Sequence, residues 1–173
     1  MDFDAIVDKY EKSIFNLIYR LVGDREEAAD LTQETFVSAY RSISEFRGDA
    51  SVYTWLYRIA VNRCKNAFKE HDRHRAYVGV EIEADLDAEQ IAGPHDLGEP
   101  VAALERKELR ERIERAIGQL PLDYRIVAVL RDLNGLSYDE IARVAGLSID
   151  VVRTRIARAR GMLRRKLEVY LTE

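Results

Sequence analysis

The stretch LSYDEIARVAGLSIDVVRTRIARARGMLRRKL (136–167) decides how this chain folds. Ser137 and Glu140 stand in S-x-x-E spacing ahead of an apolar-periodic run, so each side chain can satisfy an unpaired amide at the start of a helix. That helix stops near Gly146, and a second begins after Ser148, a residue type suited to an N-cap. Ala142, Gly146 and Val152 follow the spacing A-x3-G-x5-V. This places a small residue where two helices touch, a glycine in the turn and an apolar residue locking the second helix. The spacing predicts a helix-turn-helix over 137–157. Val152, Ile156, Leu163 and Leu167, with Ala159 alongside, form the buried stripe of the second helix. Arg153, Arg155, Arg158, Arg160, Arg164, Arg165 and Lys166 occupy the rest, with no acid before Glu168. A helix so basic suits the major groove, where arginine donates two hydrogen bonds to guanine and further cations neutralise phosphates.

The average charge hides this local field. The 173 residues carry a net charge of −4, yet residues 41–75 sum to +4 and residues 151–173 to +5. Between the two basic segments, residues 76–100 hold seven acids and no base, and residues 1–40 sum to −5. Binding a polyanion depends on such local fields rather than on the overall isoelectric point.

Upstream, Ile6, Tyr10, Ile14, Leu17, Ile18 and Leu21 recur at helical spacing. Gly23 ends that helix and Asp24 is a candidate cap for the next, which carries Ala28, Leu31, Phe36, Val37 and Tyr40. Gly48 marks a turn, after which Ser51 or Asp49 caps a third helix running to about Lys69. Its segment YTWLYRIAVNRCKN (53–66) has two faces. Tyr53, Leu56, Tyr57, Ala60, Cys64, Ala67 and Phe68 make an apolar face. Trp55, Arg58, Asn62, Lys65, Asn66 and Lys69 make the other. Cations for phosphates, an aromatic for stacking and amides for base edges suit a single strand of nucleic acid. A core helix with a solvated polar back accounts for the same pattern when the helix is taken alone.

Residues 71–100 lose helical periodicity and hold two of the three prolines. They read as a linker, since so long a structureless loop is unusual inside one compact domain; a strand over AYVGVEIEA (76–84) is considered and rejected. Helices resume at Val101, with Leu104, Leu109, Ile113 and Ile117 on or near one face. Pro121 precedes a helix bearing Tyr124, Ile126, Val127, Val129 and Leu130 that closes at Asn134–Gly135. The expectation is an all-α chain of two small helical domains (1–70 and 101–173) joined by a flexible acidic linker. One cysteine, no signal-like N-terminus and no membrane-length apolar run point to a cytoplasmic protein. Cys64, His71 and His74 match no strong zinc spacing, so no metal is expected, and no motif for a cofactor or a nucleophile occurs.

Two blocks carry a resemblance. DLTQETFVSAYRSISEFRGDASVYTWLYRIAVNRCKNAF (30–68) resembles region 2 of the sigma-70 family, in its extracytoplasmic-function (ECF) subfamily. LPLDYRIVAVLRDLNGLSYDEIARVAGLSIDVVRTRIARARGMLRRKL (120–167) is similar to region 4. The resemblance implies an alternative sigma factor that binds core RNA polymerase, recognises the −10 and −35 promoter elements and assists melting, without covalent chemistry of its own. D-x-x-Q-E-x-F maps the contact with the β′ clamp helices onto Asp30, Gln33, Glu34 and Phe36, and region 4 implies contact with the β flap. Phe46, Asn62 and Asn66 match base-contacting positions at the single-stranded −10 element. Arg58, Arg63 and Lys65 would contact phosphates, Arg63 being less well oriented, and Trp55 either separates strands or packs between helices. At the duplex −35 element, Arg153, Thr154, Arg158 and Arg155 match groove-facing positions, and Ser148 lies near a phosphate. Ala157 departs from relatives with a bulky residue there, which leaves the −35 sequence open. The resemblance also implies an anti-sigma factor, often membrane-anchored, which would hold the protein at the membrane without any insertion of its own. Two other readings remain: a helix-turn-helix regulator outside the polymerase, and a sigma mimic that sequesters an anti-sigma factor.

Overall fold

The computed structural model describes residues 2–78 and 100–171, and among these there are α-helices but no strand. Helix α1 spans Phe3–Val22, α2 Arg25–Ser42, α3 Val52–Val78, α4 Pro100–Gly118, α5 Leu122–Ala128, α6 Tyr138–Ala145 and α7 Ile149–Leu171. The helices begin and end where local chemistry provides for their unpaired groups. Gly23 takes the left-handed conformation (φ 78°) that closes α1, and its N–H donates to Tyr19 O at 2.8 Å. Asp24 Oδ1 then accepts from Glu27 N at 2.7 Å to open α2. Of the two candidate caps for α3, Ser51 takes the role: its Oγ accepts from Thr54 N at 3.1 Å.

Helices α1, α2 and α3 pack on one another, and α4 to α7 form a second bundle around α5 and α7. The apolar stripe foreseen for α1 is buried at Ile6, Ile14, Leu17, Ile18 and Leu21. In α2 the buried face differs from the expected one. Val37 and Tyr40 are 50% and 64% exposed, while Thr32 and Thr35 are buried. Each threonine hydroxyl donates to a carbonyl of its own helix, Thr32 to Ala28 O at 2.6 Å and Thr35 to Leu31 O at 2.7 Å. Satisfied in this way, the hydroxyls can be buried at little cost, and the helix can turn its larger side chains outward.

Two further expectations are corrected. Helix α3 continues through residues 71–78, which the sequence reading places in the linker. No proline or glycine interrupts the run before Gly79, and straight-chain charged residues such as Glu70, Arg73 and Arg75 keep helix propensity without an apolar period. The rest of the rejected strand, and the linker from 79 to 99, lie outside the described residues. In α4, Leu104 and Leu109 are exposed, and burial begins only towards Ala116 and Ile117.

Between α5 and α6 the chain makes a π-helical turn over Val129–Leu133, marked by Asn134 N donating to Val129 O at 3.0 Å. Gly135 follows at φ 70°. The turn points Arg131 at Leu136 O (2.8 Å) and sets Asp132 against Arg160 of α7 (2.6 Å). The buried apolar residues of both bundles form one contiguous cluster, from Ile6 in α1 to Ala159 in α7.

Candidate nucleic-acid interface

The helix-turn-helix is built as its spacing requires. Ser137 Oγ accepts from Glu140 N at 3.2 Å, and Glu140 Oε2 accepts from Ser137 N at 2.7 Å, a reciprocal cap on α6. Gly146 closes α6 in the left-handed region at φ 68°. A Cβ there would meet nothing within 4 Å, so the backbone conformation rather than space favours glycine. Ser148 Oγ accepts from Val151 N at 3.3 Å and starts α7. Val152, Ile156 and Ala159 are buried, which turns Arg153, Thr154 and Arg158 outward. Thr154 Oγ1 donates to Asp150 O at 2.9 Å, and Arg153 lies 3.8 Å from the exposed Asp150 carboxylate. Arg155 is half-buried and lies 3.5 Å from Asp123 of α5. Arg160 is held in two hydrogen bonds by Asp132, the closer at 2.6 Å. Such pairs stabilise exposed surfaces by roughly 0–1 kcal/mol, little enough for a phosphate to displace the carboxylate.

A different surface forms at the start of α3. The short 3-10 turn Ile43–Glu45 delivers Phe46, whose ring packs at 5.0 Å and 38° against Trp55. The two rings border a cavity of about 570 Å³ that Arg58, Asp49 and Ser42 also line. Trp55 thus packs partly against Phe46 and partly faces this recess. From there α3 presents Arg58, Asn62 and Asn66 exposed, while Leu56, Tyr57, Ala60, Val61 and Cys64 are buried. Arg63 turns away along α2, donating to Ser38 Oγ and lying 3.7 Å from Glu34. Lys65 Nζ donates to Ala145 O at 2.9 Å, and burial pulls its ammonium below the usual lysine range.

On α2, Asp30, Gln33 and Glu34 are exposed. Phe36 is buried and meets Phe3 edge-on at 6.5 Å. The exposed apolar pair Val37 and Tyr40 adjoins these acids, with Tyr40 edge-on to Phe3 at 5.2 Å. The sequence reading places the pair with Ala28, Leu31 and Phe36 among the apolar residues of this helix, and hydrophobicity alone does not separate the exposed members from the buried ones.

The structure also brings the two candidate DNA surfaces together. Lys65 and Lys69 of α3 share a cleft of about 930 Å³ with Thr154, Arg155 and Arg158 of α7. Arg143 of α6, which had not been singled out, borders the cavity beside Phe46 and Trp55. Asn62 and Asn66 are not drawn into either recess.

No group of three or more His, Cys, Asp or Glu side chains that could hold a metal occurs among the described residues. Cys64 is buried, its thiol pushed up to about 12 by burial, and His71 Nε2 lies 3.4 Å from Glu27 Oε1. No described helix is long and apolar enough to cross a membrane.

The family model described as Sigma-70 region 2 matches residues 6–74, and that described as Sigma-70, region 4, matches residues 110–163. Among curated relatives, the chain is 42% identical to the RNA polymerase sigma-H factor of Pseudomonas aeruginosa, covering 99% of this chain and 89% of that protein. It is 38% identical to the ECF RNA polymerase sigma-E factor of Escherichia coli strain K12, over 96% of this chain and 86% of that one. Among solved structures, it resembles the sigma factor RpoE of Bartonella quintana in complex with the anti-sigma factor NepR. The TM-score is 0.77 at 24% identity, covering 97% of this chain and 98% of that one. CnrH in complex with the cytosolic domain of CnrY gives a TM-score of 0.66 at 24% identity, over 96% and 88% of the two chains. At that identity the two structures speak for the fold.

Proposed function

The chain belongs to the sigma-70 family, in its ECF branch, and from that premise we propose how its parts divide the work of promoter recognition. As an alternative sigma factor it joins core RNA polymerase, reads the −35 element as duplex and the −10 element as a separated strand. The observation that carries the division is the contrast between its two surfaces. One is a protruding basic helix behind a capped turn. The other is a recess rimmed by two aromatic rings and continued by exposed amides.

On this reading Arg153, Thr154 and Arg158 enter the major groove, Arg155 exchanges Asp123 for a phosphate, and the N-terminus of α7 at Ser148 lies on the DNA backbone. Phe46 and Trp55 frame an extruded base, Asn62 and Asn66 contact base edges, and Arg58, Arg63 and Lys65 neutralise the strand. Asp30, Gln33 and Glu34 meet a basic surface of the polymerase, with Phe36 holding their helix from inside and Val37 and Tyr40 adding apolar contact. The functional reading includes control by an anti-sigma factor, in the cytoplasm or against the membrane. The protein acts by binding and not by catalysis. A regulator outside the polymerase, or a mimic, gives the Phe46–Trp55 recess and the Asn62–Asn66 edge no task.

In vitro transcription on genomic DNA with purified core polymerase, with RNA 5′ ends sequenced, tests this proposal. Discrete starts that require the protein and share −10 and −35 elements are expected. Their absence with folded protein and active core enzyme would overturn it.

A further inference from the structure

Arginines of α7 pair with carboxylates in different ways. Arg153 and Asp150 sit on the same helix, 3.8 Å apart, and the Asp150 side chain is 94% exposed. Arg155 approaches Asp123 of α5 through Nη1 at 3.5 Å. Arg160 is gripped by both oxygens of Asp132: Nη2 donates to Oδ1 at 2.6 Å and Nε to Oδ2 at 3.3 Å. A two-pronged, charge-assisted pair fixes the plane of a guanidinium as well as its place.

Asp132 is itself held. It lies in the π-helical turn Val129–Leu133, and single π-turns of this kind recur at functional sites. The preceding residue, Arg131, donates to Leu136 O at 2.8 Å, and its guanidinium lies 5.0 Å from the centre of the Tyr138 ring. Gly135 N donates back to Arg131 O at 3.2 Å. The turn thus stands on the start of α6 and sends consecutive side chains to the two helices of the helix-turn-helix: Arg131 to α6 and Asp132 to α7.

A guanidinium has five N–H groups in a rigid fork. Those on one edge of Arg160 serve Asp132, and Arg160 makes no other hydrogen bond among the described residues. The edge formed by Nη1 and the outer N–H of Nη2 is left without a protein acceptor, on a side chain 49% exposed. Arg160 follows Arg153 by seven residues, close to two turns, so it shares that side of α7 about 10.5 Å further along. In a helix-turn-helix the N-terminal residues of the second helix reach the bases. An arginine two turns later on the same side meets the sugar-phosphate wall of the groove.

We propose that Arg160 is a further contact to the DNA backbone and that Asp132 is its positioning residue, holding one edge of the fork so that the other edge takes a phosphate. The proposal rests on the reading of α7 as the duplex-reading helix and adds two residues to it, neither of them among the −35 contacts proposed for this helix. Phosphate and carboxylate occupy opposite edges of one fork, so binding at Arg160 needs no exchange of partners. Charge alone predicts the reverse role for Asp132: it is a negative group beside a polyanion, and its neutralisation would tighten binding. A support predicts that its neutralisation weakens binding.

The test uses the full chain assembled with core polymerase, and a duplex that the wild-type complex enriches from random-sequence DNA. Affinity for that duplex is measured over a range of salt. Asp132→Asn is expected to weaken binding about three- to ten-fold, as the loss of one charge-assisted hydrogen bond allows. Arg160→Lys keeps the charge and loses the fork, and should weaken binding to a similar extent. Arg160→Ala should lower the slope of log affinity against log salt by about one. In that background Asp132→Asn should have no further effect. A pair that only stabilised the fold would shift the thermal midpoint and leave the salt slope unmoved. Tighter binding by Asp132→Asn, Arg160→Lys binding as well as wild type, or an unchanged salt slope would each overturn the proposal. If circular dichroism shows Asp132→Asn unfolded, Arg160→Lys and Arg160→Ala decide by the same readouts. A wild-type complex that enriches no duplex would overturn duplex reading by α7 itself, whereas enrichment with indifferent variants overturns only the roles of Asp132 and Arg160.

Discussion

Helices α3 and α7 are both long and basic, and both carry residues proposed to touch DNA, yet they bury themselves in different ways. Helix α7 hides a narrow stripe of Val152, Ile156 and Ala159 and leaves Arg153, Arg158 and Arg160 outside. Helix α3 hides a broad face from Leu56 to Cys64 and borders a recess with Trp55. The difference follows from what each would read. A groove about 12 Å wide admits a protruding helix, and its base edges can be reached by arginine forks. An extruded base needs walls and stacking partners, which a protruding helix lacks. Charge alone does not distinguish the two tasks; the shape around the charge does.

The comparison can be broken most severely at the cores. Leu56→Ala in α3 and Ile156→Ala in α7 should each cost about 2–5 kcal/mol, read by urea unfolding. Because one apolar cluster joins the bundles, each substitution is expected to shift a single common transition. Two transitions, each answering to only one substitution, would show that the bundles unfold independently. Next in size, Phe46→Ala should weaken single-stranded −10 binding by about 1–3 kcal/mol and leave duplex −35 binding unchanged. Arg158→Ala should do the reverse by about 1–3 kcal/mol. Equal loss on every duplex sequence would mark Arg158 as a phosphate contact and blur the contrast.

A smaller effect is expected at the turn. Gly146→Ala should cost about 1–2 kcal/mol in thermal unfolding, since its φ of 68° strains any residue with a Cβ. It should weaken duplex binding while sparing single-strand binding. The smallest effect sharpens the comparison within α3. Asn62→Ala should remove about 0.5–1.5 kcal/mol from binding of the melted strand, measured by permanganate reactivity of open complexes, with affinity for core polymerase unchanged. Unimpaired melting would remove Asn62 from the base-reading edge.

Much of the secondary structure was legible because its causes are local. The capping box at Ser137 and Glu140, the stop at Gly23 and the start at Asp24 involve residues three or four apart, and the structure contains them all. The misreadings occurred where local signals compete. Helix α3 outran its apolar period because charged residues such as Lys69, Glu70 and Arg73 have good helix propensity without one. Val37 and Tyr40 looked like core because hydrophobicity suggested it, but two threonines took the buried places after satisfying their hydroxyls on their own helix. The α4 face failed at Leu104 and Leu109 because a stripe is buried only where another element reaches it.

Motif order and spacing were enough to name the family and the all-helical fold and to propose two DNA-reading elements, because capping, periodicity and residue type act within a few residues of one another. Which way each reader points, and that the two meet, was decided by contacts between residues 77 to 104 positions apart: Tyr57 with Asn134, Lys65 with Ala145, Leu21 with Arg125. Each partner is an ordinary polar group with no local signature of its role. Its pairing is set by the packing of two bundles through one apolar cluster, which no short window of the chain contains.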